Sequence, residues 1–207
     1  MAQQQRRVFV TGTDTDVGKT VVSAILAQGW GARYWKPLQA GTEGGTDSQA
    51  VASWLGQDRV LPEHAVLSRP LSPNQAAEQD GVSLELASIQ LPAWPGPLVV
   101  EGAGGLMVPL NQQHTMLDLM ARLGLPVVLV ARSGLGTLNH SLLSLAMLKA
   151  RGLKLLGLIL VGEHNPLNQR DIQHFGQAEI IGRVPPLAQL NARSFQQVFD
   201  GFQLVGC

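Results

Sequence analysis

Four runs of almost wholly apolar residues, rich in valine, isoleucine and leucine, constrain what this chain can fold into. They cover residues 7–11, 97–101, 126–131 and 155–161. The runs do not alternate between apolar and polar residues, which is typical of strands buried on both faces of a parallel sheet. Two shorter candidate strands lie at residues 32–35 and 179–184.

Helical patterns separate these runs, and they lie at residues 19–28, 47–54, 83–90, 116–123, 138–151 and 168–175. The alternation of strand and helix predicts an α/β fold, a doubly wound and mostly parallel sheet with right-handed crossovers. The chain has 207 residues, of which 45% are apolar, so we expect one domain over residues 1–207 with a sizeable core.

The composition excludes several classes of partner. Charged residues make up 14% of the chain and sum to zero, so there is no basic footprint for nucleic acid or for an anionic membrane. No apolar run is long enough to cross a bilayer, and the start "MAQQQRR" lacks the pattern of a signal peptide. Cys207 is the only cysteine, and we expect an exposed thiol in a cytoplasmic protein with a small ligand.

Glycine-rich polar segments follow three of the apolar runs. "GTDTDVGKT" begins at residue 12, "EGAGG" at residue 101 and "RSGLGTLNH" at residue 132. In doubly wound sheets, ligands bind beyond the carboxyl ends of the strands. The three segments therefore predict a single site at one edge of the sheet.

The "GKT" at residues 18–20 is typical of a phosphate-binding loop, because it lies between a strand and a helix. The standard motif G-x-x-x-x-G-K-[ST] has its first glycine at position 13, where this chain has Thr13. Backbone N–H groups and the helix N-terminus would hold phosphate, with Lys19 on the terminal phosphates and the Thr20 hydroxyl on Mg²⁺. Because of the extra residue, the loop differs from that of an ordinary nucleotide hydrolase.

Two acids in this loop, Asp14 and Asp16, need a partner other than phosphate. A cationic substrate is one such partner. For Asp14, capping of a turn is an equal alternative.

Three further charged residues are candidates for the same site. Glu101 ends a buried strand, where a second contact to Mg²⁺ is expected, although a capped acid in a tight turn is the alternative. Lys36, held extended by Pro37, would neutralise charge on a transferring phosphoryl group, although lone lysines are more often surface groups. Asp47 begins a helix, so it is either an N-cap or a Mg²⁺ ligand.

The stretch "SGLGTLNHSLLSLAMLKARG" contains a helix whose start we expect to be capped by Thr137 or Asn139. The N–H groups at the helix start would alternatively hold a carboxylate. For His140 we favour a structural role over a catalytic one. The body of the helix is too apolar to face solvent, which indicates core or a subunit interface; this holds for Leu142, Leu145, Ala146 and Leu148.

Together these motifs resemble those of the dethiobiotin synthetases. The matching segments are "TGTDTDVGKT", "WKPLQAG", the downstream "TDS", "VVEGAGG", "PVVLVARSGLGTLNH" and "GRVPPL". They span most of the chain in the family's order. The loop with an extra residue and Thr-Asp-Thr is that family's form of the phosphate loop.

The resemblance implies a P-loop NTPase type of fold and an ATP-dependent cyclo-ligase. Such enzymes form a carbamate from 7,8-diaminopelargonate and CO₂, phosphorylate it with ATP, and close a cyclic urea with release of ADP and phosphate. The cofactor is Mg²⁺, and the product, dethiobiotin, belongs to biotin biosynthesis. A cationic diamine would also account for acids in the loop.

Carried over position by position, the resemblance assigns catalytic roles to Lys19, Lys36 and Thr15. It assigns Mg²⁺ to Thr20, Asp47 and Glu101. It assigns nucleotide binding to Thr13, Asp14, Thr15, Asp16, Val17, Gly18, Lys19, Thr20, Pro185 and Pro186. It assigns substrate binding to Asp16, Lys36, Ala40, Gly104, Gly136, Leu138 and Asn139. In the family the segment at residues 134–139 comes from the neighbouring subunit, so a homodimer with its site at the interface is implied.

The chain departs from the family pattern at three places. Ala40 replaces a usual Ser or Thr hydroxyl, for which Thr42 is a nearby substitute. Val161 stands where an adenine-reading Asn is often found, which leaves the nucleotide preference open. The helix after the loop is expected to be short, with Gly29 and Gly31 after its end.

Two other classes compete with this interpretation. A P-loop ATPase of the partitioning or scaffold type would carry a second lysine early in the loop, where this chain has residues 13–16, and would lack the "WKP" segment. A glutamine-dependent amidase synthetase would need a further glutaminase domain, for which 207 residues leave no room.

Overall fold

The computed structural model describes residues 6–204 of the chain. Cys207 lies outside the described residues. The strands are β1 (Arg7–Gly12), β2 (Arg33–Trp35), β3 (Leu38–Ala40), β4 (Val60–Leu61), β5 (Ala65–Leu67), β6 (Leu98–Gly105), β7 (Val127–Arg132), β8 (Leu155–Val161) and β9 (Ile180–Val184). The helices are α1 (Lys19–Trp30), α2 (Asp47–Leu55), α3 (Pro73–Asp80), α4 (Met116–Leu123), α5 (Thr137–Ala150), α6 (Pro166–Gly176) and α7 (Ala192–Phe199).

Seven of these strands form one sheet in the order β4-β2-β6-β1-β7-β8-β9, and every neighbouring pair is parallel. The strands β3 and β5 form a separate parallel pair. The order reverses direction at β1, so that β1 lies between β6 and β7 and its carboxyl end meets both of theirs. The predicted doubly wound, mostly parallel sheet is confirmed.

The two faces of the sheet carry two apolar cores. Alternate residues of the central strands, such as Phe9 and Val10, point to opposite faces, as strand geometry requires. One core contains residues of α4, α5 and α6, and the other contains residues of α1, α2 and α7. Because both faces are covered, the strands read as continuous apolar runs.

The segment at residues 83–90 is not the helix that we expected. It contains only a 3₁₀ turn, Leu86–Ser88, and its buried residues Leu84 and Ile89 are five positions apart, which is not the spacing of one helix face. A helix does form earlier in this region. It is α3, which begins at Pro73, a favoured first helical position, and ends at Gly81 in the left-handed conformation.

The first helix is longer than expected, and it runs on to Trp30 through Gly29. A side chain at Gly29 would place its Cβ 2.1 Å from the ring of Phe199, so this glycine lets α1 and α7 pack closely. Gly31 then ends the helix with φ of 62°. A glycine inside a helix lowers the stability of that helix, and at Gly29 the contact between α1 and α7 offsets this cost. The local sequence pattern could not show this contact, because α7 is distant in sequence.

Sequence patterns also missed helix α7 and the short strands β3, β4 and β5. Other boundaries differ by a few residues, and β6 runs to Gly105 instead of ending at Glu101. Within residues 6–204, none of the helices has both the length and the apolar character needed to cross a bilayer.

Candidate active site

The loop between β1 and α1 has an unusual backbone. Asp16 has a φ of 55° and Gly18 a φ of 96°, so both lie in the left-handed region. At Gly18 a Cβ would also lie 3.1 Å from the side chain of Val161, so only glycine fits without strain. Gly18 is the N-cap of α1, and the first N–H groups of that helix therefore face the loop without intrahelical partners. This geometry suits an anion.

Side chains within the loop hold it in shape. The Asp14 carboxylate accepts a hydrogen bond from the N–H of the next residue, Thr15, at 2.7 Å. The Thr13 N–H donates to the carbonyl of Val130 on β7 at 2.9 Å, and Val17 is buried in the core. The Lys19 ammonium donates to the Asp14 carbonyl at 2.9 Å.

Glu101 is the centre of a buried charge cluster, and its side chain is 0% exposed. Its Oε1 atom accepts from the Thr20 hydroxyl at 2.9 Å and from the Lys36 ammonium at 3.1 Å. Its Oε2 atom accepts from the Tyr34 hydroxyl at 3.0 Å. Lys36 also pairs with the Asp47 carboxylate. The three proposed Mg²⁺ ligands and Lys36 therefore form one connected group.

The environment shifts the pKa of three groups around this cluster. Burial acts to lower the pKa of Lys36, but the charges of Glu101 and Asp47 outweigh it, and the pKa lies above its ordinary value. Burial lowers the pKa of Lys19, and nearby carboxylates only partly oppose this. Burial and then the charge of Glu101 raise the pKa of Tyr34 well above its usual range, so its hydroxyl remains a donor.

Thr20, Asp47 and Glu101 offer hard oxygen atoms, which are the ligands that hard cations such as Mg²⁺ prefer. Mg²⁺ is usually held by one or two carboxylates together with substrate phosphates and water. Residues 6–204 contain no group of three or more His, Cys, Asp or Glu side chains that would hold a metal by themselves. The arrangement therefore suits a metal that arrives with a nucleotide.

Asp47 is placed by two neighbours that sequence reasoning assigned no role. It is the first residue of α2, but Thr46 is the N-cap and forms a capping box with Gln49, so the N-cap role predicted for Asp47 is wrong. Gln39 accepts a hydrogen bond from the Asp47 N–H at 3.2 Å and donates to the Gly41 carbonyl at 2.9 Å. The only signal for Gln39 was a polar residue in the short "WKPLQAG" stretch.

A cavity of about 760 Å³ opens above this cluster, within the usual size range of small-molecule sites. Many of the predicted site residues line it, namely Thr15, Asp16, Gly18, Lys19, Thr20, Lys36, Ala40, Asp47, Glu101 and Gly104. Residues that sequence reasoning missed also line it, namely Val21, Gln39, Pro70, Leu71, Ser72, Pro73, Ala103 and Val108.

Thr42, the hydroxyl expected to substitute near Ala40, does not line the 760 Å³ cavity. Thr42 lines a different cavity, of about 470 Å³. Ser72 lies on the 760 Å³ cavity instead, and its hydroxyl donates to the Asn74 side chain at 2.7 Å. It comes from the proline-rich region whose pattern gave no site prediction.

Eight predicted residues do not line this cavity: Thr13, Asp14 and Val17 belong to the phosphate loop, and five others lie apart from it. Pro185 lines another cavity, of about 520 Å³, beside β9, and Pro186 lines neither of the two. Gly136, Leu138 and Asn139 stand at the start of α5, outside the lining of the 760 Å³ cavity. Within one chain, the structure does not bring these five residues to the charge cluster.

The start of α5 differs from the expected capping. Gly136 is the N-cap, and helix α5 begins at Thr137, whose hydroxyl is buried 3.2 Å from that of Ser141. Asn139 is exposed in the first turn, so neither predicted residue caps the helix. The loop before the helix is held by the Asn168 amide, which donates to the carbonyls of residues 133 and 134 at 2.9 and 3.1 Å. His140 is exposed rather than packed in the core.

The sheet order and the phosphate loop define a protein of the P-loop NTPase class. Solved structures with the same fold include the cell division ATPase MinD of Pyrococcus furiosus, with a TM-score of 0.56 at 15% identity over 95% of this chain and 98% of that one. MinD of Pyrococcus horikoshii, complexed with Mg-ADP, gives a TM-score of 0.56 at 14% identity over 94% of each chain. At such identities the likeness concerns the fold alone.

Comparison of sequences narrows the class to a family. A family model described as an AAA domain matches residues 6–194. The ATP-dependent dethiobiotin synthetase BioD of Paramagnetospirillum magneticum is 52% identical over 90% of this chain and 91% of its own. That of Nitrobacter hamburgensis is 50% identical over 96% of this chain and 95% of its own. The chain therefore belongs to the ATP-dependent dethiobiotin synthetase family and is an enzyme of the ligase class.

The buried pair of Lys36 and Glu101 should be coupled in stability. We expect Lys36→Met or Glu101→Gln alone to lower the free energy of unfolding by about 3 kcal/mol, because each removes one charge of a buried ion pair while the other charge stays buried. The double variant should lose less than the sum of the two by at least ~1 kcal/mol. Urea denaturation without nucleotide or Mg²⁺ measures all three values.

Asp47→Asn is the control for this cycle, since that side chain is 35% exposed and its loss should cost less than that of Glu101. Simple additivity of Lys36→Met and Glu101→Gln would show that the two residues are not coupled in stability, which would contradict the prediction.

Proposed function

We propose that this chain catalyses the ATP-dependent ring closure of 7,8-diaminopelargonate with CO₂ to dethiobiotin, as a step of biotin biosynthesis. The observation that carries the proposal is the cluster of Lys36, Asp47, Glu101 and Thr20 beside the phosphate loop, in a chain about half identical to named dethiobiotin synthetases. A single domain over residues 1–207 would perform the whole reaction.

The proposed chemistry has three steps. One amine of the substrate attacks CO₂ and loses a proton, which gives a carbamate. The carbamate oxygen then attacks the γ-phosphorus of ATP, forming a carbamic-phosphoric anhydride and releasing ADP. The second amine attacks the carbonyl carbon and loses a proton, and inorganic phosphate leaves as the cyclic urea closes.

The phosphate-binding groups would lower the barrier to phosphoryl transfer mainly by position and charge. The N–H groups at the start of α1 and the Lys19 ammonium would bind the β- and γ-phosphates. The Lys36 ammonium, which lines the cavity beside Glu101, would stabilise negative charge on the carbamate and on the transferring group. Mg²⁺, held by Thr20, Asp47 and Glu101, would neutralise phosphate charge when bound.

The diamine would bind at the outer side of the loop. Thr15 and Asp16 are exposed on the lining of the cavity, and the Asp16 carboxylate is free to face a cationic amine. Arg132 donates to the carbonyls of Thr15 and Asp16 at 3.2 and 3.4 Å, which supports the left-handed backbone at Asp16. Ala40 and Ser72 complete this side of the cavity.

Product formation tests the proposal directly. Incubation with diaminopelargonate, bicarbonate, Mg²⁺ and ATP should give dethiobiotin, identified by its mass. Lys19→Ala should lose at least ~100-fold in turnover, the scale of one preorganised charge, while remaining folded by circular dichroism. ATP hydrolysis that does not depend on the diamine, with no cyclic urea formed, would favour a P-loop ATPase of the partitioning type instead.

The choice of nucleotide base is a second property that the chain itself suggests. Val161 ends β8 against Gly18, and a valine side chain cannot form a hydrogen bond with a base edge. A site without a reading group discriminates weakly, because the wrong base leaves no buried polar group unpaired.

We expect CTP and GTP to support turnover within about tenfold of ATP, a difference of roughly 1.4 kcal/mol. Val161→Asn, which offers an amide at the same position, should increase the preference for ATP. Initial rates with each nucleotide at saturating diamine measure both effects. A wild-type preference for ATP above a thousandfold would mean that another residue reads adenine.

We further propose a homodimer with its site at the interface. Gly136, Leu138 and Asn139 lie off the cavity of their own chain, as expected if they serve the cavity of a second copy. The surface beside them is apolar: Leu135, Leu143, Met147, Leu167 and Phe175 are all exposed on α5, α6 and the preceding loop. Such a patch is typical of an interface. The N–H groups of α5 and the Asn139 amide would then bind the carboxylate tail.

Mixed dimers test this arrangement. Asn139→Ala should raise the KM for the diamine roughly tenfold without changing ATP binding, because only a remote contact is lost. After subunit exchange, Lys19→Ala and Asn139→Ala chains should together be more active than either parent, since each mixed dimer has one intact site. Lys19→Ala mixed with Lys36→Ala is the control, and it should stay inactive. Activity that never exceeds the parents would place the tail within one chain.

A further inference from the structure

Tyr34 is a buried polar residue to which the reaction above gives no role. It is the only tyrosine of the chain, and its side chain is 0% exposed. It does not line the 760 Å³ cavity, yet its hydroxyl donates to Glu101 Oε2 at 3.0 Å. It is therefore in contact with a proposed metal ligand from inside the core.

The sheet register explains this contact. Tyr34 on β2 pairs with Val99 on β6, and strand alternation places Val99 and Glu101 on the same face. Tyr34 and Val99 belong to the core under α1. The long tyrosine side chain can therefore reach two residues along β6, to the carboxylate at the active-site end of the strand.

We propose that Tyr34 is a positioning residue that fixes the orientation of the Glu101 carboxylate for the metal–nucleotide complex. The inference rests on the proposed function, since that function makes Glu101 a Mg²⁺ ligand. The terminal torsion of a glutamate is soft, so hydrogen bonds must set it. Of the three donors to Glu101, Thr20 and Lys36 line the cavity and have tasks toward substrates, whereas Tyr34 contacts only the core. It is the donor that stays in place throughout the reaction.

Tyr34→Phe removes a single oxygen atom and keeps the packed ring. The Mg²⁺ concentration for half-maximal turnover should rise about tenfold, at the low end of the effect of residues that orient metal ligands. Turnover at saturating Mg²⁺ and the KM for the diamine should change by no more than about twofold, because neither substrate touches Tyr34.

Metal binding without turnover gives the second measurement. With saturating ADP present, enzyme-bound Mn²⁺ is measured from the loss of the free Mn²⁺ signal in electron paramagnetic resonance. Tyr34→Phe should bind Mn²⁺ about tenfold more weakly than wild type. Ser23→Ala is the matched control: it also removes one fully buried hydroxyl, on α1, and that hydroxyl has no hydrogen-bond partner among residues 6–204. It should bind Mn²⁺ like wild type.

Equal Mn²⁺ affinity of folded Tyr34→Phe and wild type overturns the proposal. If Tyr34→Phe does not fold, ¹⁹F NMR of the wild-type protein labelled with 3-fluorotyrosine tests the proposal instead. The labelled protein carries a single ¹⁹F reporter, because Tyr34 is its only tyrosine. Movement of that resonance when Mg²⁺ is added to the ADP complex supports the proposal, and an unchanged resonance contradicts it. If the wild-type enzyme makes no dethiobiotin, only the proposed function is contradicted. The role of Tyr34 is still tested by the Mn²⁺ measurement, which does not require turnover.

Discussion

The buried negative charge of Glu101 is the feature on which the site and much of the fold depend. An isolated carboxylate is too costly to bury, so it must receive several charged or polar donors. Here the donors come from α1, from β2 and from the residue after β2. They can meet only because β6 lies between β1 and β2 in the sheet. The charge cluster therefore depends on the strand order.

The central strands could be predicted from the sequence because both faces of each are covered. Phe9 and Val10 point to opposite cores, so neither position tolerates a polar side chain. The short strands β3, β4 and β5 have two or three residues each, and their pairing depends on contacts distant in sequence. Local pattern cannot report such pairing, and the same reason explains why α1 continues through Gly29.

The candidate site divides in the same way. Local pattern predicted Lys19 and Thr20 from the spacing of the phosphate loop, and Glu101 from its place at the end of a buried strand. Local patterns could not predict Tyr34 or Ser72. The role of Tyr34 depends on the register between β2 and β6. Ser72 reaches the cavity only because the proline-rich segment that contains it folds over the cavity. The positions of residues that orient or enclose a site depend on tertiary structure, so the local sequence gives little indication of them.

The contact between α1 and α7 has a consequence for how the protein is made. The helix that carries the phosphate loop packs against the last helix of the described chain, and the ring of Phe199 lies directly on Gly29. During synthesis, the first helix therefore waits for almost the whole polypeptide before its outer face is covered. Contacts so far apart in sequence form late and slow folding. The helix that follows the phosphate loop, although encoded near the start, is covered by residues translated near the end.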